Sequence, residues 1–404
     1  MHMPTSMGYI GYIRDRFRTA VFSNSGWSPV IAGVLIGLIQ IISYVWVNKP
    51  FTVYAGFLNW GQHIYSSLGI KIFGVPKQLP LFEPTSAGDI GVIIGASLAA
   101  ALSGELALRR VGRAIDVIEA VVGGILMALG VSLAFGCNWG GFISAITSWS
   151  LHGFAFLIGA VIGGLLGLRY TIYRIESEWR KSLSMVYEKR ALLNSDSSSR
   201  DASYMLLIPL IALGILVAYY AIVGSYMVGG MLMGTIVGIV LQRSRLCFAT
   251  AFRDLFNGPE NRRALDIHKG IAVAILVGSV GVFALKYMGI RDPMISVSPV
   301  HVTNVLGGLI FTFGSIVAGG CASGVLWRAG EGHMKSWIAI LSTVLAYPIF
   351  ASLLRPLTSS FPRVFLPAVV GWIGSFVAML IFIAAYTTVI YYLEYRYVGK
   401  QRLH

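Results

Sequence analysis

Three residues stand out for their chemistry: Cys137, Cys247 and Cys321, the only cysteines in 404 residues. Two of them share a setting. Gly136-Cys137-Asn138-Trp139-Gly140 and Gly320-Cys321-Ala322-Ser323-Gly324 are both G-C-x-x-G. The third lies in Arg245-Leu246-Cys247-Phe248, six residues before Arg253-Asp254. No pair forms C-x-x-C, and the odd, sparse count excludes a disulfide framework. No zinc-ligand spacing, P-loop or Ser/His/Asp set accompanies them, and no cofactor is expected. What remains is the chemistry of single thiols. A neutral thiol is a weak hydrogen-bond donor, and only the thiolate is a strong nucleophile.

Each G-C-x-x-G falls where a long apolar run ends and a short one begins. Gly136 and Gly319-Gly320 permit a sharp break with positive φ. The cysteine then opens a half-helix whose free N–H groups and dipole favour an anion. The competing reading is that the glycines pack helices and the cysteine is a small buried hydrophobe. Two copies in register at broken helix ends weigh for function. The candidate binding residues are Cys137, Cys247, Cys321, Gly136, Gly140, Gly320, Gly324, Asn138, Arg253 and Glu331. Glu331 is either an intramembrane carboxylate or an interfacial partner of Arg328. Arg253-Asp254 is either a structural ion pair or a ligand contact, and Arg243 and Arg245 read as anchors at a helix exit. Trp139, Ser323 and Trp327 lie near the breaks. His152 and His333 are expected in loops or at the interface.

The elements that position these residues are membrane helices. Apolar residues make up 56% of the chain and charged ones 12%, about half the charge of a soluble domain. Mean hydropathy is +0.74. This excludes a soluble enzyme, a secreted domain and a disordered protein, and the net charge of +14 is assigned to cytoplasmic loops rather than to nucleic-acid binding. Runs of about 20 apolar residues predict spans at 28–47, 88–106, 115–135, 151–168, 204–222, 226–242, 270–287, 303–320, 337–354 and 364–392. Nine spans result if 204–242 or 364–392 is counted differently. The pieces 51–68, 137–150, 246–256 and 321–331 are too short to span and suit re-entrant helices.

The basic clusters fall at the N-terminus and after every even-numbered span. Arg109, Arg110 and Arg113 follow the second, for example, and Arg169 to Arg200 the fourth. Both termini are therefore expected in the cytoplasm. The organisation reads as a cytoplasmic N-terminus (1–26), a first membrane repeat (27–168), a basic linker (169–203), a second repeat with extra helices (204–396) and a cytoplasmic tail (397–404). The linker ends in Ser-rich, flexible composition.

The halves repeat. Without gaps, Val121, Gly123, Gly124, Gly130, Ala134, Gly136, Cys137 and Gly140 coincide with Val305, Gly307, Gly308, Gly314, Ala318, Gly320, Cys321 and Gly324. Gly33 and Gly37 pair more weakly with Gly230 and Gly234. The predicted topology runs 115–135 and 303–320 in opposite directions. That predicts an all-α polytopic protein with an inverted-topology, pseudo-two-fold repeat and a site between the halves.

On these segments the chain resembles the YeeE/YedE family of bacterial sulfur-transport membrane proteins. The matching pieces are Gly123-Gly124 to Gly140, Arg245 to Phe248 with Ala251-Phe252-Arg253-Asp254, and Gly307-Gly308 to Gly324. The likeness extends in order and spacing from about 88 to 354. The Cys-Phe…Arg-Asp piece and the length resemble the YedE branch, associated with selenium metabolism, while the YeeE branch takes up thiosulfate. The resemblance implies about nine spans with inward-dented helices in a bacterial inner membrane, and cysteines lining a constriction, here Cys137, Cys247 and Cys321. Members often carry another cysteine near the first helix and the dented segment after it, and Asn48 to Leu68 has none.

The chemistry agrees. Thiosulfate is a dianion with a soft terminal sulfur that a neutral thiol can hydrogen-bond without trapping. Weak successive sites let an ion leave as well as enter. The expected function is uptake of thiosulfate or a related sulfur or selenium anion, with a cytosolic TusA-like sulfur carrier or a sulfurtransferase as a possible partner. The alternatives are a membrane thiol enzyme that handles sulfane sulfur and a membrane anchor for a sulfur-carrier partner.

Overall fold

The computed structural model describes residues 26–76, 78–186, 209–218, 227–257 and 262–401. They form helices: α1 Pro29–Val47, α2 Tyr54–Ser67, α3 Pro84–Leu102, α4 Ala114–Ala134, α5 138–147, α6 His152–Val186 and α7 Pro209–Ala218. The second half has α8 Met227–Ser244, α9 Phe248–Asp254, α10 Arg262–Tyr287, α11 Val302–Ala318, α12 Ala322–Gly330 and α13 Met334–Thr358. The chain closes with α14 Leu366–Val370 and α15 Trp372–Gln401. Among the described residues, nine helical stretches are long and apolar enough to cross a membrane. The protein is an all-α, multi-pass membrane protein. Residues 204–208 and 219–222 of the expected span 204–222, the N-terminal arginines and the Ser-rich end of the linker lie outside the described residues.

The four short pieces are helices α2, α5, α9 and α12, each beginning just after a break in the chain. Helix α6 runs on through Val186, so the first part of the basic segment after residue 168 continues the helix. The expected final span 364–392 is broken at Gly371, whose φ is 74°. A short α14 precedes it and the long α15 follows. Pro348 and Pro356 lie inside α13.

The repeat is visible in the packing. A Cβ on Gly123 would press on Ala318 and come within 2.6 Å of the Gly314 carbonyl. A Cβ on the equivalent Gly307 would come within 2.7 Å of both the Ala134 nitrogen and the Gly130 carbonyl. The contacts exchange when the two halves are exchanged. They also rise along α4 as they fall along α11, so these equivalent helices cross antiparallel. Only glycine allows backbones this close. The outer pairs follow the same exchange: α1 meets α10 at Gly33 and Gly270, and α8 meets α3 at Gly234 and Gly88.

Charge separates by end. At one end Arg113, Arg174 and Lys335 meet Asp116, Glu119 and Glu178. Beside them Arg245 joins Glu105 at 2.7 Å and Glu331 at 2.5 Å, and the 105–109 loop bonds the 331–334 turn through its backbone. The other end is sparser, with Lys49 on Glu83 at 2.9 Å and Arg291 donating to the Tyr44 carbonyl at 2.7 Å.

Candidate functional site

All three cysteines are buried and free. Each sits at the residue that caps the N-terminus of a short helix: Cys137 before α5, Cys247 before α9 and Cys321 before α12. Their backbones are extended, with ψ of −177°, 118° and 178°. The extended residue turns the chain so that the first-turn N–H groups of the following helix point back past the thiol. At the first break the Gly140 N–H reaches the Cys137 sulfur at 3.3 Å.

The second break turns at an expected glycine and the first does not. The left-handed residue of the first break is Phe135, φ 57°, not Gly136. In the second break it is Gly319, φ 91°, and not Gly320. Gly136 is required instead by crowding, because a Cβ there would run into the Gly140-Gly141 backbone. Gly320 faces the Gly324-Val325 backbone at 3.1 Å in the same way.

Gly140 and Gly324, equivalent in the repeat, mark the difference between the two breaks. A Cβ on Gly324 would lie 3.0 Å from the Cys247 sulfur and 3.3 Å from the Cys321 sulfur. Both sulfurs therefore border the same small space, and Ser323 Oγ lies 3.5 Å from Cys321. A Cβ on Gly140 would instead meet the Tyr54 ring at 2.7 Å. The residue that caps α2, in the place Cys247 holds before α9, is the fully buried Val53. Tyr54 stands edge-on to Tyr347, 6.4 Å between centroids, and Arg355 donates to the Tyr347 hydroxyl at 2.5 Å. An aromatic layer of Phe51, Trp139 and Phe248 links the first break to the start of α9. Trp139 packs edge-on against Phe51 at 5.5 Å and against Phe248 at 6.0 Å.

Four of the buried donor atoms without a hydrogen-bond partner lie on the two short helices that the repeated cysteines cap. Asn138 Nδ2 and Trp139 Nε1 follow Cys137, and Trp327 Nε1 and Arg328 Nε lie on α12. Asn138 Oδ1 accepts from Thr312 at 3.1 Å, which leaves its amide N–H groups free. Unpaired buried donors are costly, and an anion is a ligand that could satisfy donors such as these.

Other expected site residues are placed as follows. Arg253 chelates its neighbour Asp254 at 2.6 and 2.8 Å. Glu331 is buried, 1% exposed, but its partner is Arg245 and not Arg328, with Gln242 donating at 3.0 Å. Burial raises the Glu331 carboxyl above the usual range, and Arg245 offsets only part of this. For Glu105 burial acts in the same direction, but Arg245, Ser103 and Gln242 outweigh it and hold the carboxyl low. His152 is buried rather than in a loop, bonded to Ser150 at 2.6 Å. His333 lies in a half-buried turn, its ring on the Arg328 carbonyl. Burial and nearby Arg109 lower its pKa to about 4. Beyond Cys247, Arg245, Thr250, Asp254 and Arg263 line a pocket of about 210 Å³ at the charged end.

Sequence reasoning misses Val53, Tyr54, Tyr347 and Asp89. Asp89 had a signal, an acidic residue at the head of an apolar run. The tyrosines had none, because aromatic residues in membrane helices are common.

A family profile described as sulphur transport matches residues 13–166 and 243–404. The chain belongs to the sulphur-transport family. It is similar to the probable transporter YedE of Escherichia coli K12, 27% identical over 344 residues, covering 80% of this chain and 81% of that one. The YedE of Salmonella typhimurium is 28% identical with the same coverage. A shorter stretch of 131 residues is 37% identical to the thiosulfate transporter TsuA of E. coli, 32% of this chain and 35% of that one. This chain is accordingly a sulfur-anion transporter in which each thiol sits at the start of a short helix.

Proposed function

We propose that this sulphur-transport protein carries thiosulfate, or a closely related sulfur or selenium anion, along a path lined by Cys137, Cys321 and Cys247. The observation that carries this reading is the placement of all three free thiols at the starts of half-helices, beside buried donors that lack partners. The ion's charge meets N–H groups and its soft sulfur meets neutral thiols. Two similar stations joined through the Trp139 layer hold the ion weakly enough to pass it on. The resemblance to proteins named as thiosulfate transporters supports the substrate class.

The antiparallel crossing of α4 and α11 supports an inverted repeat in the membrane. The charged end, rich in arginine, supports a cytoplasmic assignment for that face in a bacterial inner membrane, with both termini on it. The ion then passes Cys137 first and leaves by Cys321 and Cys247 toward the pocket beside Arg245. A cytosolic sulfur carrier or sulfurtransferase would receive it there. An inside-negative potential opposes an entering dianion by roughly 2.3 kcal/mol per charge per 100 mV, so net uptake needs coupling or rapid consumption.

The test is uptake of radiolabelled thiosulfate into proteoliposomes, wild type beside Cys137→Ala and Cys321→Ala. Uptake that falls at least tenfold in each variant is the expected result. Uptake unchanged in both removes the thiols from the path, and selenosulfate or sulfite competition then identifies the anion class.

A further inference from the structure

The first half holds one carboxylate that the transport path, as described, does not use. Asp89 lies in α3, is fully buried, and neither of its carboxylate oxygens has a hydrogen-bond partner. Every other acid at membrane depth or near the breaks is matched: Glu119 by Arg174 and Lys335, Glu331 by Arg245, and Asp254 by Arg253. No cation pairs with Asp89 among the described residues. Its carboxyl fills the space over Gly56 of α2, where any side chain would collide with it. Gly56 lies two residues after Tyr54 at the first break.

We propose that Asp89 is a proton-carrying site that couples anion uptake to proton entry, and this rests on reading the chain as an anion transporter. A buried carboxylate with no donor and no cation is tolerated only as the neutral acid. When the path opens to the outer end, Asp89 takes a proton from that side. When the path opens inward, the proton is released with the anion. The proton binds to a carboxylate oxygen and leaves from it, with no other bond changed. The entrance lies close by: Glu83, six residues earlier, is paired with Lys49 at the partly exposed outer end. From Glu83 a line of polar groups, the Ser86 N–H and the Ser86–Asn59 hydrogen bond at 3.1 Å, leads to the turn that holds Asp89.

The charged and titratable groups that reach Asp89 are few. Glu83 is on its own helix and Cys137 stands at the first break. The other elements packed on α3 bring Gly56 and Asn59 from α2, Gly230, Met231, Gly234 and Thr235 from α8, and Gly330 from α12. None of those titrates. Glu83 already accepts from Lys49, so Asp89 is the acid left to change its protonation as the path opens.

The test separates this from the transport reading by comparing exchange with accumulation. Proteoliposomes loaded with unlabelled thiosulfate measure one-for-one exchange, which needs no net proton movement. Empty vesicles under an inward proton gradient of one pH unit measure accumulation, up to about tenfold per coupled proton. Wild type should do both, and adding thiosulfate should alkalinise a weakly buffered medium outside. Asp89→Asn, which mimics the neutral acid, should keep exchange and lose both gradient-driven accumulation and the alkalinisation. Asp89→Glu should restore part of each. Accumulation by Asp89→Asn equal to wild type overturns the proposal, as does wild-type accumulation indifferent to the proton gradient. Loss of exchange in a well-folded Asp89→Asn also overturns it, by making Asp89 part of the anion site. Absence of exchange in wild type sinks the transport reading instead.

Discussion

The two breaks have one backbone and two chemistries. In the second half, Gly324 leaves room for a pair of thiols, Cys321 on its own chain segment and Cys247 from α9. In the first half, the equivalent Gly140 leaves room for the Tyr54 ring, and Val53 occupies the cap that Cys247 holds opposite. The glycines where α4 and α11 cross correspond between the halves, whereas the residues around the thiols do not. Packing between backbones tolerates no side chain, so the glycines keep their register. A path needs only a sequence of weak sites, so its side chains are free to differ. The molecule therefore offers a lone thiol backed by tyrosine and arginine at one end of its core and a thiol pair at the other.

The most severe way to break this comparison is at the shared seam. Gly123→Val and Gly307→Val each drive a side chain into the opposite backbone, where overpacking costs typically about 1–3 kcal/mol or more. Both should lose most monodisperse protein on size-exclusion chromatography, and to a similar degree. If one is tolerated and the other is not, the halves do not share the seam as equals. The next effect separates the thiols by position. Cys137→Ser should lower thiosulfate uptake by about tenfold or more, while Cys247→Ser should cost less, because Cys321 still lines its station. Equal losses would show that the pair acts as one site.

A sharper test adds the missing thiol. Mild oxidation of wild type should join Cys247 to Cys321, read as a loss of about 2 Da and of two alkylatable thiols, with Cys137 left free. Val53→Cys should then gain a second bridge to Cys137. Failure of that bridge would limit the symmetry to the backbone. The smallest effect is on stability. Burial of neutral His333 lowers its pKa to about 4 from 6.5. That contribution is complete above pH 6.5 and is lost as pH falls toward 4. Glu105, held low, adds a loss only at still more acidic pH, and Glu331, raised, works in the opposite direction. His333→Gln should flatten the decline of Tm between pH 7 and 5 by about 1–2 °C, since a kcal/mol shifts Tm by only about 1 °C in a chain of this size. A decline unchanged in the variant would place the acid sensitivity elsewhere.

Much of this was legible before any coordinates. Run length placed the membrane helices, and the short pieces at 51–68, 137–150, 246–256 and 321–331 appear as α2, α5, α9 and α12. Length is readable because a span must match the bilayer. The paired G-C-x-x-G motifs located the breaks for a related reason: glycines in register signal close backbone approach. Partners were less legible. Glu331 lies three residues from Arg328, a spacing that favours pairing on a helix, yet α12 ends at Gly330 and the side chain turns to Arg245, 86 residues away. The break at Phe135 also escaped, since a left-handed φ at a phenylalanine has no sequence signal.

What the sequence determined alone was the medium, most of the spanning helices among the described residues, the paired glycine motifs and the three thiols, because these follow from hydropathy, run length and identity at fixed spacing. The tertiary structure decided which groups meet. It set Cys247 against Cys321, put Val53 where a fourth thiol could stand, and left Asp89 without a hydrogen-bond partner. These are contacts between segments tens to hundreds of residues apart, and their distances depend on how helices cross, which no local pattern specifies.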